Sequence, residues 1–437
     1  MTNPRQLTSG STNHLLTNAA VWSHDGRWIY YDVRSDRSGA QFDGNRIERV
    51  CVESGETELV FAANRGANVG VVTANPVRDE IVFIHGPENP TPDWQYAACH
   101  RRGVLVQPST KAAKNLDARD LVAPFTPGAL RGGTHLHVFS GDGACVSFTY
   151  EDHVLAHAEH RKLSQLNQRN VGVSLPTRSV SVPKSHPRNH DGAMFSVLVT
   201  RTTDTPTSGS DEISRAYSDA WIGTHGYLRK EGSRQSRALA FIGDTVDASG
   251  AKLSELFVVD VANDVGLSDD ELVCGTPTTR PAPPRGTTQR RLTYTGNRRY
   301  PGLGDVRHWP RSSPDGCKIA FLMKDDLGKN QLWLVDPCGE SLCQLTDGDQ
   351  PVQSAFTFRN DGRAIACVIG DRVCEVDVES GGVVPLTREP TKPTDSPPRG
   401  EAVVYSPDGR DIAFVRAIET ADGIRNHIFL VSTQRNP

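Results

Sequence analysis

Three histidines, His135, His137 and His308, are of the type that ligates a divalent ion or moves a proton near neutral pH. His135 and His137 are two residues apart. In an extended strand that spacing puts both on one face. Arg307 precedes His308 and offers the planar fork that pairs bidentately with a carboxylate. Asn18, Gln353 and Glu401 add hydrogen-bonding groups. A divalent metal held by His135 and His308 is one reading of this set. Direct contact with a polar ligand is a second, and a channel whose polar groups only bond trapped water is a third.

What brings these residues together is a repeat. Ser312-Ser-Pro-Asp-Gly-Cys-Lys-Ile-Ala-Phe321, Phe358-Arg-Asn-Asp-Gly-Arg-Ala-Ile-Ala-Cys367 and Tyr405-Ser-Pro-Asp-Gly-Arg-Asp-Ile-Ala-Phe414 align almost without gaps. Trp22-Ser-His-Asp-Gly-Arg-Trp-Ile-Tyr-Tyr31 and Phe139-Ser-Gly-Asp-Gly-Ala-Cys-Val-Ser-Phe148 match closely, and a degenerate copy starts at Asn75. Pro presets φ, Asp bonds its own backbone and Gly takes φ > 0, so each copy is a tight turn between strands. A third strand such as Gln331–Asp336 follows, then a fourth ending in Leu-Thr, as at Thr293, Thr346 and Thr387. Four strands in ~40–50 residues make one blade of a β-propeller.

Inner turns near Asp25, Asp79, Asp142, Asp315, Asp361 and Asp408 mark six blades, and strands at Arg237–Phe241 and Leu256–Asp260 mark a seventh. An eighth, seeded by Asn189-His-Asp-Gly192, is disfavoured because too few residues separate that turn from Ser179–Val182 for an inner strand. Arg5-Gln-Leu-Thr8 is a fourth-strand end with no strands before it, and the last copy stops after a third strand, His427–Val431. The N-terminal strand is therefore expected to close the last blade. The whole chain, 1–437, reads as one all-β, seven-bladed domain. The stretch 153–235 is read as one elaborated blade, and Leu267 to Gln289 as an exposed Pro/Thr-rich loop.

With the turns as a ruler, residues five or six positions before each turn serine stand near one mouth of the channel. They include Asn18, His135, Arg307, His308, Gln353 and Glu401, a polar rim on otherwise apolar strands. His186 and His190 are read as loop residues, and Glu151-Asp152 and Asp325-Asp326 as turn acids at the same mouth.

Composition narrows the partners. A net charge of −4 gives no electrostatic reason to expect nucleic acid or an anionic membrane. No run of ~18 apolar residues exists for a membrane span, and Met1–Thr8 lacks the apolar run of a secretory leader. Nine scattered cysteines without a Cys-x-x-Cys pair favour reduced thiols, with Cys317 and Cys367 read as small buried hydrophobes. A cytoplasmic monomer is expected.

The Ser-Pro-Asp-Gly turn, the Ile-Ala-Phe strand and the Gln-Leu-Thr end resemble the TolB-type propeller repeat. Gly133–Gly143, Arg307–Gly316 and the closure strand make nearly the whole chain similar to propellers related to oligogalacturonate lyases. That resemblance implies a central manganese held by histidines and a glutamine, with a His and an Arg for elimination. β-Elimination needs a cation on the uronate carboxylate and a base on the α-proton. His135 and His308 would hold the metal, with Arg307 and His137 as the catalytic pair and Asn18, Gln353 and Glu401 binding the substrate. The family's Gln-x-x-His-x-His strand corresponds here to Gln350–Phe356, where the histidine positions hold Gln353 and Ala355. A non-catalytic propeller binding a small molecule, an oligosaccharide or a protein at the same mouth is the competing reading. The absence of nucleophile motifs supports it.

Overall fold

Each repeat folds as its turn chemistry requires. The Ser23 and Ser406 hydroxyls donate to Asp25 and Asp408 at 2.6 Å and accept the Trp28 and Asp411 N–H groups at 3.0 Å. Gly26, Gly316 and Gly409 follow at φ 71°, 78° and 71°, which a side chain would strain. The Leu-Thr ends have an equally local cause. Thr8, Thr293, Thr346 and Thr387 accept the N–H groups of Ile428, Leu256, Leu332 and Val373 through their hydroxyls at 2.9–3.0 Å. Each hydroxyl thus continues the ladder past the point where the fourth strand leaves it.

In the computed structural model, residues 3–17, 19–158, 162–263, 265, 271–390 and 396–434 are described. Seven four-stranded antiparallel sheets form the blades of a propeller. Their inner strands are Asn13–Leu15, Val69–Ala74, Gly132–Phe139, Arg215–Trp221, Arg311–Ser312, Thr357–Phe358 and Pro398–Tyr405. Arg5–Gln6 supplies the fourth strand of the last blade, with Arg5 opposite Leu430 and Gln6 opposite Phe429. The closure expected from sequence is therefore the one observed. The apolar core lies between neighbouring sheets. Val21 and Ile29 of the first blade, for example, pack against Leu7, Ala413, Ile428 and Leu430 of the last across their seam.

Three readings need correction. The stretch 153–235 is not one blade. It contributes the outer strands Asn170–Leu175 and Phe195–Leu198 to the third blade and the inner strand Arg215–Trp221 to the fourth. A hairpin, Tyr227–Leu228 with Arg234–Gln235, then takes the place of the usual inner turn. The insertion after Leu267, where described, is held down. Arg131, almost fully buried, donates to the Thr276 and Thr279 carbonyls at 2.5 and 2.6 Å and pairs with Asp152 at 2.7 Å. Cys367 is buried but Cys317 is exposed, because it sits on the turn rather than in the following strand.

Ring closure can be weakened without touching the channel. Leu7→Ala removes a side chain that is 6 % exposed at the closing seam. It should cost about 2–4 kcal/mol in chemical denaturation. An unchanged midpoint would show that the closing strand carries no stability.

Candidate functional site

The inner strands of blades two, three and four share an irregularity. Val71, Leu136 and Ser218 adopt φ of 59°, 55° and 55°. The pairing register shifts there, between Gly70 and Thr73, His135 and Val138, and Tyr217 and Ala220. A left-handed β-branched or bulky residue is costly, on the order of 1–3 kcal/mol, and here packing offsets it. Leu136 and Val138 meet Trp309 and Ala355, with Val71 and Trp221 against them. These residues come from five blades, so they meet on the propeller axis and plug the channel with apolar side chains. The Trp221 indole N–H donates to the Val138 carbonyl at 3.0 Å and fixes one wall.

The bulge decides what each histidine can do. In a regular strand His135 and His137 would share a face, and that expectation is corrected. His137 turns into the seam between blades two and three. A Cβ on Gly103 would lie 2.8 Å from its Nε2. Its Nε2 meets the Thr134 hydroxyl at 2.9 Å, and that hydroxyl donates to Asp117 at 3.2 Å. His137 therefore stands away from the mouth. His308 has both ring nitrogens engaged by backbone, Nδ1 with the Val306 carbonyl at 2.8 Å and Nε2 with the Leu322 N–H at 3.2 Å. It offers no lone pair to an ion.

His135, Arg307, Gln353 and Glu401 do stand at the rim. His135 is part-buried, with Nδ1 3.4 Å from the Thr149 hydroxyl. Burial first, then the charges of Arg101, Arg169 and Arg307, hold its imidazole well below the usual range. Arg307 is exposed, and its guanidinium lies 5.0 Å from the centre of the Trp309 ring. Glu401 pairs with Arg399. Gln353 exchanges hydrogen bonds with Asp371 at 2.9 and 3.1 Å. Asn18 lies outside the described residues. Arg101, 4.9 Å from the Tyr96 ring centre, and Arg169, paired with Glu151, belong to the rim too. Neither lies on an inner strand, so the turn ruler could not reach them.

A cap covers part of this mouth. A Cβ on Gly133 would lie 2.2 Å from the Ala98 carbonyl oxygen, so only glycine lets the Ala98–Arg101 backbone cross the third inner strand. Arg119, fully buried, donates to the Gly132 and His100 carbonyls at 3.1 and 3.2 Å and to that of Arg101. The cap brings together Cys99, His100, His153 and His157. Burial lowers His100 to about 4; burial, then His157 and His100, lower His153 to about 3. Of this group, only the His153-x-x-x-His157 spacing was visible in the sequence. At the opposite end of the channel a cavity of about 300 Å³ is walled by the turns and by buried Arg311. Burial raises Asp219, an electrostatic neighbour of Arg311, to about 6.

A family model described as a protein of unknown function (DUF3748) matches residues 68–190. Over 415 residues the chain is 47% identical to a protein of Escherichia coli (strain K12) described as uncharacterized protein YidR, and the match covers 94% of each. Among solved structures, an oligogalacturonate lyase in complex with manganese gives a TM-score of 0.57 at 10% identity, over 98% of this chain and 93% of that one. The oligogalacturonate lyase of Vibrio parahaemolyticus gives 0.58 at 9%, with the same coverage. The β-propeller domain of the Trilobed protease from Pyrococcus furiosus gives 0.51 at 8%, over 98% and 97%. At these identities the likeness is one of fold. The residues here do not fit a manganese ion at the family's place. Ala355 is part of the apolar plug, the Gln353 amide is bound to Asp371, and His308 is saturated by backbone.

Buried neutral histidines make the fold acid-sensitive. Burial lowers His14, His85, His137 and His308 to about 4, 4, 3 and 4 from 6.5. Below pH 6.5 the unfolded chain therefore binds protons that the folded chain does not. Stability is full above that pH and falls as the pH drops towards 4, by up to ~1.4 kcal/mol per unit per histidine. Asp219 contributes the opposite sign, as do Asp32, Asp117 and Asp244, whose carboxyls burial also raises. Thermal melts should show Tm dropping steeply on acidification, and His308→Gln, which can still donate and accept, should shallow the slope. A Tm that holds from neutral pH to about 4 would contradict this account.

Proposed function

The chain belongs to the family of YidR, and from that premise we propose that it is a binding propeller for an anionic, carboxylate-bearing ligand of oligosaccharide type. The observation that carries this reading is the charge around His135, on which Arg101, Arg169 and Arg307 all act. Guanidinium groups bind carboxylates with two parallel hydrogen bonds. Tyr96 and Trp309 lie against Arg101 and Arg307 and hold those guanidinium groups in place at the rim. The apolar plug gives the mouth a floor. Glu401 and Gln353 would accept from hydroxyls through the lone pairs that Arg399 and Asp371 leave free, and Asn18 would contact the ligand from its place in the repeat. The neighbours named for oligogalacturonate, an acidic oligosaccharide, agree with the sign of this charge.

We take the binding to be non-catalytic. A lyase would need a metal and a free base, and the engagement of His308 and His137 leaves His135 as the one of these three histidines free for either role. A protein partner would use the same rim through an acidic side chain. Nine free thiols suit the reducing cytoplasm, and a monomer is the simplest form. No helix among the described residues is long and apolar enough to cross a membrane.

Calorimetric titration with an oligogalacturonate and with a neutral oligosaccharide of equal length tests this. The acidic sugar should bind, and less tightly as salt rises. Arg307→Ala should weaken it by about tenfold or more, ~1.4 kcal/mol. Equal binding of the neutral sugar, or none of either, would sink the proposal. Unsaturated product appearing in the ultraviolet would replace it with the lyase.

A further inference from the structure

We propose that Cys99, His100, His153 and His157 form a closed four-ligand site for a divalent transition metal of the zinc class, built into the cap. Their ligand atoms, one sulfur and one nitrogen from each ring, all lie within 4.8 Å of one another. With Zn–S and Zn–N bonds of about 2.3 and 2.0–2.1 Å, one ion reaches all four after small side-chain shifts. The donors come from two short elements. Cys99 and His100 lie on the 3-10 turn Ala98–His100, which Arg119 and Gly133 hold against the third inner strand. His153 and His157 lie one helical turn apart on His153–Ala156 and its C-cap, a helix begun by the Asp152 side chain accepting the Leu155 N–H. Their rings stack at 4.3 Å.

The surrounding hydrogen bonds orient the rings for ligation. His100 Nδ1 stands 2.7 Å from the Gln95 carbonyl and can only donate there, so its Nε2 keeps a lone pair. That Nε2 faces His153 Nδ1 at 3.0 Å, inside the cluster. His157 Nδ1 is 3.2 Å from the His153 carbonyl, which likewise frees its Nε2. A backbone carbonyl on the far ring nitrogen is the usual partner of a metal-ligating imidazole. Trp94 stacks on His100 at 3.8 Å and shields the group from one side.

The donor chemistry selects the ion. One thiolate, three imidazoles and no carboxylate suit Zn2+ or Co2+ and disfavour Mg2+, Ca2+ and Mn2+. Loading releases the thiol proton to solvent, and the His153 proton moves to Nε2 as Nδ1 takes the metal. All four positions are filled by protein, so the ion ties the cap to the helix rather than catalysing a reaction. The site adjoins the arginine rim, Arg101 following His100 directly, but shares no residue with it and does not depend on which ligand the mouth binds.

The full-length protein, purified without chelator or histidine tag, should carry one Zn2+ per chain by elemental analysis. Co2+ added to metal-stripped protein should produce the intense visible bands of a tetrahedral ion and a thiolate-to-metal charge-transfer band. Cys99→Ser should remove the charge-transfer band, and His157→Ala, at an exposed position, should weaken Co2+ binding by more than about tenfold. Added Zn2+ should raise Tm of the wild type more than that of either variant. A wild-type chain with no stoichiometric metal and a featureless Co2+ titration would overturn the site. So would a charge-transfer band that survives in Cys99→Ser.

Discussion

A ring of sheets is tied shut where its first and last members are joined. In this propeller the joint is a short pairing, Arg5 with Leu430 and Gln6 with Phe429, continued by the Thr8 hydroxyl on the Ile428 N–H. Each sheet packs its faces only against its neighbours, so an open ring would leave two apolar faces and two strand edges in water. The closing strand converts a stack of blades into a closed body with an axis. A fixed axis is what allows side chains from five blades to meet there.

At that axis the bulges matter more than the strands. Regular inner strands would present alternate residues to the channel. The left-handed turns at Val71, Leu136 and Ser218 break the alternation at one level in three successive blades. The apolar plug that results separates the two ends. On one side lies the arginine-rich mouth with its cap, on the other the cavity walled by Arg311. The backbone cost of the bulges is set against burial of Leu136 and two tryptophans, each of which contributes a few kcal/mol when removed from water.

Blade number, closure and the identity of most inner turns were legible because each rests on short-range chemistry. A serine, an aspartate and a glycine at fixed spacing make the turn wherever they occur. The fourth blade escaped that ruler because the Tyr227–Gln235 hairpin replaces its inner turn. The site was less legible for the same reason in reverse. Period-two alternation placed His135 and His137 together, and only the backbone at Leu136 reveals that they diverge. His308 occupies a rim position by count, but its ring is spent on its own backbone. The rim residues Arg101 and Arg169 and the cluster around His100 come from connections whose paths no repeat dictates. His100 and His153 are brought side by side by the Gly133 crossing, and nothing in their local sequence announces it.

The joint between Gln6 and Phe429 also has a meaning in time. Arg5–Gln6 is made well before the strand it pairs with, Gly423–Ser432, because everything between must be made first. At ~5–20 residues per second that wait is roughly 20–90 s. Throughout it the N-terminal segment stays unpaired while blades form behind it. Its brevity and polar ends, with only Leu7 apolar between Gln6 and Thr8, then act as protection: a two-residue strand is a poor template for another chain. The strand that completes the ring is thus also one suited to waiting.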